Sequence, residues 1–106
     1  MSRIARVVAV GYPHHITQRG NYRQGHFESD ADRRRYLELI RAESLNHGLE
    51  ILAYCLMTNH VHFIAVPRHD ESMAYVFKYA NMKYSAYFNK RKGMGGHLFQ
   101  GRFFHL

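Results

Sequence analysis

The chain has 106 residues, 46% hydrophobic and 14% aromatic, enough for one domain with a modest core. Its single cysteine, Cys55, excludes an internal disulfide and a four-thiolate zinc site and points to a reducing, cytoplasmic setting. No apolar run approaches the ~20 residues needed to span a bilayer, so no membrane partner is expected. Fifteen Lys and Arg against eight Asp and Glu give a net charge of +7. The charge is unevenly spread: residues 1–27 hold four arginines and no acid, 28–71 hold all eight acids and five arginines, and 72–106 hold six bases and no acid. Two basic ends around an acidic middle point to a basic face for nucleic acid.

Residues 14–21 (HHITQRGN) alternate and predict a strand; residues 23–27 read as a loop. Ser29 then opens a helix: its hydroxyl can accept a first-turn amide, and Asp32 stands where a capping box has its acid. Tyr36, Leu37, Leu39, Ile40 and Leu45 are expected on the apolar face of that helix, with Arg33, Arg34, Glu38 and Glu43 elsewhere, and Gly48 is placed to end it. Residues 49–57 (LEILAYCLM) read as a buried strand, with Cys55 a small buried hydrophobe. Thr58 and Asn59 make a turn into a second strand over 60–66 (HVHFIAV), ended by Pro67, and the two strands should form a hairpin.

A second helix is predicted from Asp70 or Ser72 to about Arg91, with Met73, Phe77, Ala80, Tyr84 and Phe88 on its core face. Gly93, Gly95 and Gly96 break it, and residues 97–106 allow a short final strand. The order β-α-β-β-α-β is the ferredoxin-like α+β pattern, an antiparallel sheet with two helices on one face, in a single domain over 1–106. In that topology the first and third strands are neighbours at the sheet centre, so the basic first strand borders the histidine strand.

His60 and His62 are two apart on a strand, so they share a face with side chains ~7 Å apart at the backbone. Imidazoles at that spacing can converge on one divalent ion, or can simply be two partly exposed strand residues. Val61, Phe63 and Ala65 form an apolar face suited to packing against the helices, which turns His60 and His62 to the other side. The surrounding stretch, AYCLMTNHVHF, resembles the AYCLMPNHVHLL segment of REP-associated tyrosine transposases, members of the IS200-like, single-tyrosine HUH family; Thr58 stands where that segment usually has proline. Three more stretches resemble the family in the right order: HITQRGN (15–21) its HVTxRGN strand, YSAYFN (84–89) its RYxRYFN segment, and LFQGRF (98–103) its LWEGRF. Together they cover residues 11–103.

The resemblance implies single-strand DNA chemistry, namely strand cleavage and transfer in DNA transposition and recombination. His60 and His62 would hold Mg²⁺ or Mn²⁺, and a tyrosine would attack the polarised phosphate to leave a 5′-phosphotyrosine and a free 3′-OH. A phenol is a poor nucleophile at its ordinary pKa of about 10, and a nearby cation helps it ionise. In the family that tyrosine follows the GRF segment, in a helix like RYIELNPVRAG. No residue here matches it, so the chain is expected to be part of a longer protein. Tyr84 and Tyr87 are the fallback nucleophiles, although Tyr84 lies on the apolar stripe of the second helix. His15 and Gln18 are both candidates for a third metal ligand, and they point to opposite faces.

Arg19, Arg23, Lys78, Lys83, Lys90, Arg91, Lys92 and Arg102 are the expected DNA contacts, and the partner is single-stranded or hairpin DNA. Relatives include helix-exchanging dimers, which makes a homodimer one expected state. The competing reading is a non-catalytic single-stranded DNA- or RNA-binding module with a ferredoxin-like fold, although the RGFGFVxF-like signature of one such class is missing.

Overall fold

A computed structural model describes residues 7–19, 27–92 and 104–105. In chain order it contains β1 (His14–Arg19), α1 (Asp30–His47), β2 (Leu49–Leu56), β3 (His60–Pro67), α2 (Ser72–Lys92) and β4 (Phe104–His105). The four strands form one sheet in the order β2-β3-β1-β4, and every pairing is antiparallel. This is the predicted α+β ferredoxin-like arrangement.

The sheet is two-sided because β3 alternates strictly. Val61, Phe63 and Ala65 are buried, and the residues between them only half so. Phe63 meets Tyr36 of α1 at 6.3 Å and Phe77 of α2 at 5.3 Å between ring centroids, so both helices cover that face. The predicted stripe of α2 is the observed one: Met73, Phe77, Ala80, Tyr84 and Phe88 are all buried. Tyr84 stands edge-on to Tyr36 at 5.3 Å, the geometry that brings a ring's positive edge to a negative face. A polar chain crosses this core. The Tyr36 hydroxyl donates to Asn81 Oδ1 (2.8 Å) and Asn81 Nδ2 donates to Gln18 Oε1 (3.2 Å), tying both helices to β1.

Ser29 caps α1 as expected, accepting the Asp32 amide at 3.2 Å. Asp32 closes the turn on the Glu28 amide (2.8 Å) and does more than cap. It is 1% exposed and also receives Arg91 (2.8 and 2.9 Å) and the Tyr87 hydroxyl (2.9 Å), which binds the two helices through a buried carboxylate.

The structure corrects two expectations. β2 is an edge strand, not a buried one: its outer side has no neighbour among the described residues, Leu52 and Tyr54 are exposed, and Cys55 is exposed with them. Its apolar run comes from half-covered faces at the rim of the helix layer, and a register shift between Ile51 and Ala53 breaks the alternation. On α1, Glu43 is buried, whereas Leu45 is 77% exposed. At about 100° per residue the buried line runs through Asp32, Tyr36, Leu39, Ile40 and Glu43, and Leu45 falls well off it. Glu43 is tolerated there because Lys83 donates to it at 2.6 Å from α2. The final strand is two residues long where it is described, and residues 98–103, with their GRF segment, lie outside the described residues.

Gly48 ends α1 in the left-handed region (φ 71, ψ 47), with its amide returning to the Ser44 carbonyl. A Cβ there would come within 2.9 Å of His69 Cδ2. Gly48→Ala should therefore cost about 1–3 kcal/mol through backbone strain, read as a lower midpoint in urea unfolding.

Candidate functional site

Antiparallel pairing of β1 with β3 sets Thr17 opposite His62 and Arg19 opposite His60. Paired residues share a face, so His15, Thr17 and Arg19 lie with His60 and His62 on the side of the sheet away from the helices. Cys55 of β2 is in register with His62 on its other flank. The His60 and His62 rings are stacked 6.1 Å apart, and His15 stacks on His62 at 5.4 Å.

Hydrogen bonds orient both imidazoles. His60 Nδ1 lies 3.0 Å from Asn59 Oδ1, which can only accept, so Nδ1 carries the proton. The bare Nε2 of His60 accepts from Arg19 Nε–H at 3.1 Å. His62 Nδ1 contacts His15 Nε2 (3.2 Å) and Thr17 Oγ1 (3.3 Å). Partial burial, and then the neighbouring His15 and His60, hold the His62 pKa below its ordinary value.

That lowered pKa has a sign that can be measured. The native state resists protonation at His62, so its contribution to stability is complete above the ordinary histidine pKa of about 6.5 and declines as pH falls below it. Metal-free wild type should lose more stability between pH 8 and pH 5.5 than His62→Gln, by urea unfolding at each pH.

The candidate third ligands now separate. His15 is on the histidine face. Gln18 is 2% exposed on the helix side and bound to Asn81. Among the described residues no group of three or more His, Cys, Asp or Glu side chains is placed to hold a metal.

The fallback tyrosines are on the wrong side of the sheet. Tyr84 is fully buried in the helix layer, and burial followed by the charge of Asp32 pushes its phenol far above the ordinary range. Tyr87 donates to Asp32, and that bond is the main reason its pKa is raised. Both shifts oppose the ionisation a nucleophile needs.

The basic residues divide in the same way. Arg19 borders the histidine pair. Lys78, Lys83, Lys90 and Arg91 ride on α2, behind the sheet. Lys83 is bound to Glu43, Arg91 to Asp32 and Glu28, and Lys78 lies over the Tyr79 ring at 5.5 Å. The fold therefore places these four on the helix side of the sheet, away from His60 and His62. Arg23, Arg102 and the Lys92 side chain lie outside the described residues. Sequence reasoning missed Thr17, Asn59 and the Arg19–His60 contact. The two-residue period of 15, 17 and 19 held the signal, but its meaning depended on register.

A profile of the family described as "Transposase IS200 like" matches residues 9–106. The chain belongs to the IS200-like transposase family. Two solved structures share the fold of this IS200-like chain. One is the REP-associated tyrosine transposase bound to a REP hairpin, with 18% identity and a TM-score of 0.76, covering 100% of this chain and 61% of that one. The other is a protein described as a transposase from Deinococcus radiodurans R1, with 18% identity and a TM-score of 0.71, covering 99% and 85%. This chain thus spans 61% of the length of the hairpin-bound transposase. No curated protein matches it. Among its described residues no helix is long and apolar enough to cross a membrane.

Proposed function

We propose that this IS200-like transposase chain binds hairpin-bearing single-stranded DNA on its histidine face and serves DNA strand cleavage and transfer by the HUH tyrosine mechanism. The observation that carries the reading is the β1–β3 register, which puts Arg19 beside His60 and His62 on the face opposite the helices. The hairpin-bound relative supports the choice of DNA.

A divalent cation, Mg²⁺ or Mn²⁺, fits His60 and His62 as a partial donor set. Asn59 fixes the His60 tautomer with Nε2 bare, and the lowered pKa of His62 keeps it neutral, the form that ligates. When bound, the cation would neutralise charge on the scissile phosphate. Two imidazoles suit Mn²⁺ better than Mg²⁺, which prefers oxygen ligands. The residues of this chain then position the strand: Arg19 pairs with a phosphate oxygen, and Thr17 and His15 steady the His62 ring from Nδ1. In the reaction a tyrosine oxygen bonds to phosphorus as the bond to the 3′ oxygen breaks, and that oxygen leaves with a proton as the free 3′-OH. Neither Tyr84 nor Tyr87 is that tyrosine in this reading, because both are tied into the helix layer.

Fluorescence anisotropy with a hairpin-bearing DNA strand, its duplex and the same sequence in RNA tests the assignment. The DNA hairpin should bind most tightly, more so with Mn²⁺ than with EDTA. Equal affinity for RNA, indifferent to metal and to loss of both histidines, would favour the non-catalytic binding module instead.

A further inference from the structure

An imidazole nitrogen has one lone pair in its plane, so it can accept a hydrogen bond or ligate a metal, but not both at once. At His60 that lone pair is in use: Arg19 Nε–H points at Nε2 from 3.1 Å, across the directly paired position of β1. Asn59 holds the proton on Nδ1, so Nε2 is also the only nitrogen of His60 with a lone pair to offer. Arg19 therefore stands where a cation would bind this ring. His62 differs. Its Nδ1 is engaged by His15 and Thr17, and among the described residues nothing bonds its Nε2. Arg19 is exposed, and among the described residues no carboxylate pairs with it, so its guanidinium has no stronger partner than this neutral ring.

We propose that Arg19 is a positioning residue that holds His60 in its ligating tautomer and transfers to a DNA phosphate when the strand arrives, which opens His60 Nε2 to the divalent cation. The exchange follows from the strengths of the bonds. A guanidinium bonds a phosphate with charge assistance and often in two places, and so prefers it to a neutral imidazole. Removing Arg19 to the phosphate frees the lone pair, so strand and metal favour one another. By linkage the factor is the same in both directions. The inference deepens the proposed function and rests on its metal assignment.

Mn²⁺ titration calorimetry on the full-length protein, with and without a hairpin-bearing DNA strand, decides it. Without DNA, Arg19→Ala should bind Mn²⁺ about 2- to 10-fold more tightly than wild type, the worth of one hydrogen bond. DNA should tighten Mn²⁺ binding in wild type and do so much less in the variant. Arg19→Lys keeps the positive charge without the Nε–H and should share the DNA-free gain. A gain in Arg19→Ala alone would mean simple charge repulsion and overturn the proposal, as would unchanged or weaker binding in both variants. Mn²⁺ binding that is lost in His60→Ala but insensitive to Arg19 removes this proposal and leaves the metal site standing. Mn²⁺ binding indifferent to His60 and His62 removes both.

Discussion

Replacing His62 with alanine should weaken Mn²⁺ binding by at least ~10-fold, since even outer residues around a metal cost 10- to 100-fold. Cleavage of a hairpin-bearing strand by the full-length protein should fall on the order of 100-fold or more with it. The thermal midpoint should move by only a few degrees. His62 sits half-exposed on the face away from the core, and such substitutions usually stay within about 0.5 kcal/mol. Val61→Ala, one residue away, should do the reverse. Val61 is fully buried under the helices, so its loss costs roughly 2 kcal/mol of stability and leaves Mn²⁺ affinity unchanged in the folded protein. The pair makes a sharp test, because neighbours on one strand are asked to separate function from folding. Unchanged Mn²⁺ affinity in His62→Ala would end the metal assignment, whatever happened to stability.

Asp32→Ala should be among the most damaging single changes outside the apolar core. Its carboxylate is 1% exposed and takes four hydrogen bonds: two from Arg91, one from Tyr87 and one from the Glu28 amide. Removing one partner of a buried ion pair costs about 3–5 kcal/mol, because the other is left uncompensated. The Arg91 side chain is 40% exposed and regains some water, which places the loss near the lower end, about 3 kcal/mol. For a domain of this size that lowers the thermal midpoint by roughly 10–20 °C. Ser29→Ala removes only the cap bond to the Asp32 amide and should cost about 1 kcal/mol. If Asp32→Ala unfolds no earlier than Ser29→Ala, in thermal melts under one buffer, the carboxylate does not join the two helices as described.

Much of the architecture could be read from the chain. Period two in HVHFIAV and period 3.6 in the second helix are direct consequences of side-chain direction, and both carried through to the buried faces observed. Ser29 and Gly48 marked the ends of the first helix for equally local reasons. The misreadings have a common origin. LEILAYCL is apolar enough for a buried strand, yet how far the helices cover an edge strand is a property of the whole topology. Glu43 looks like a surface acid until Lys83 is brought to it from 40 residues away. The +7 charge pointed to nucleic acid, but residues 72–106 supply bases that the fold spends partly on its own acids.

Composition, period and motif thus determined an α+β fold of IS200-like type with His60 and His62 on a common face. Those are matters of local stereochemistry, settled within a few residues of chain. Tertiary structure alone decided which neighbours meet those imidazoles: Arg19 on His60, Thr17 and His15 on His62, and Gln18 turned inward to Asn81. Strand register does this, because a slip of one residue would send every side chain of β1 to the opposite face of the sheet.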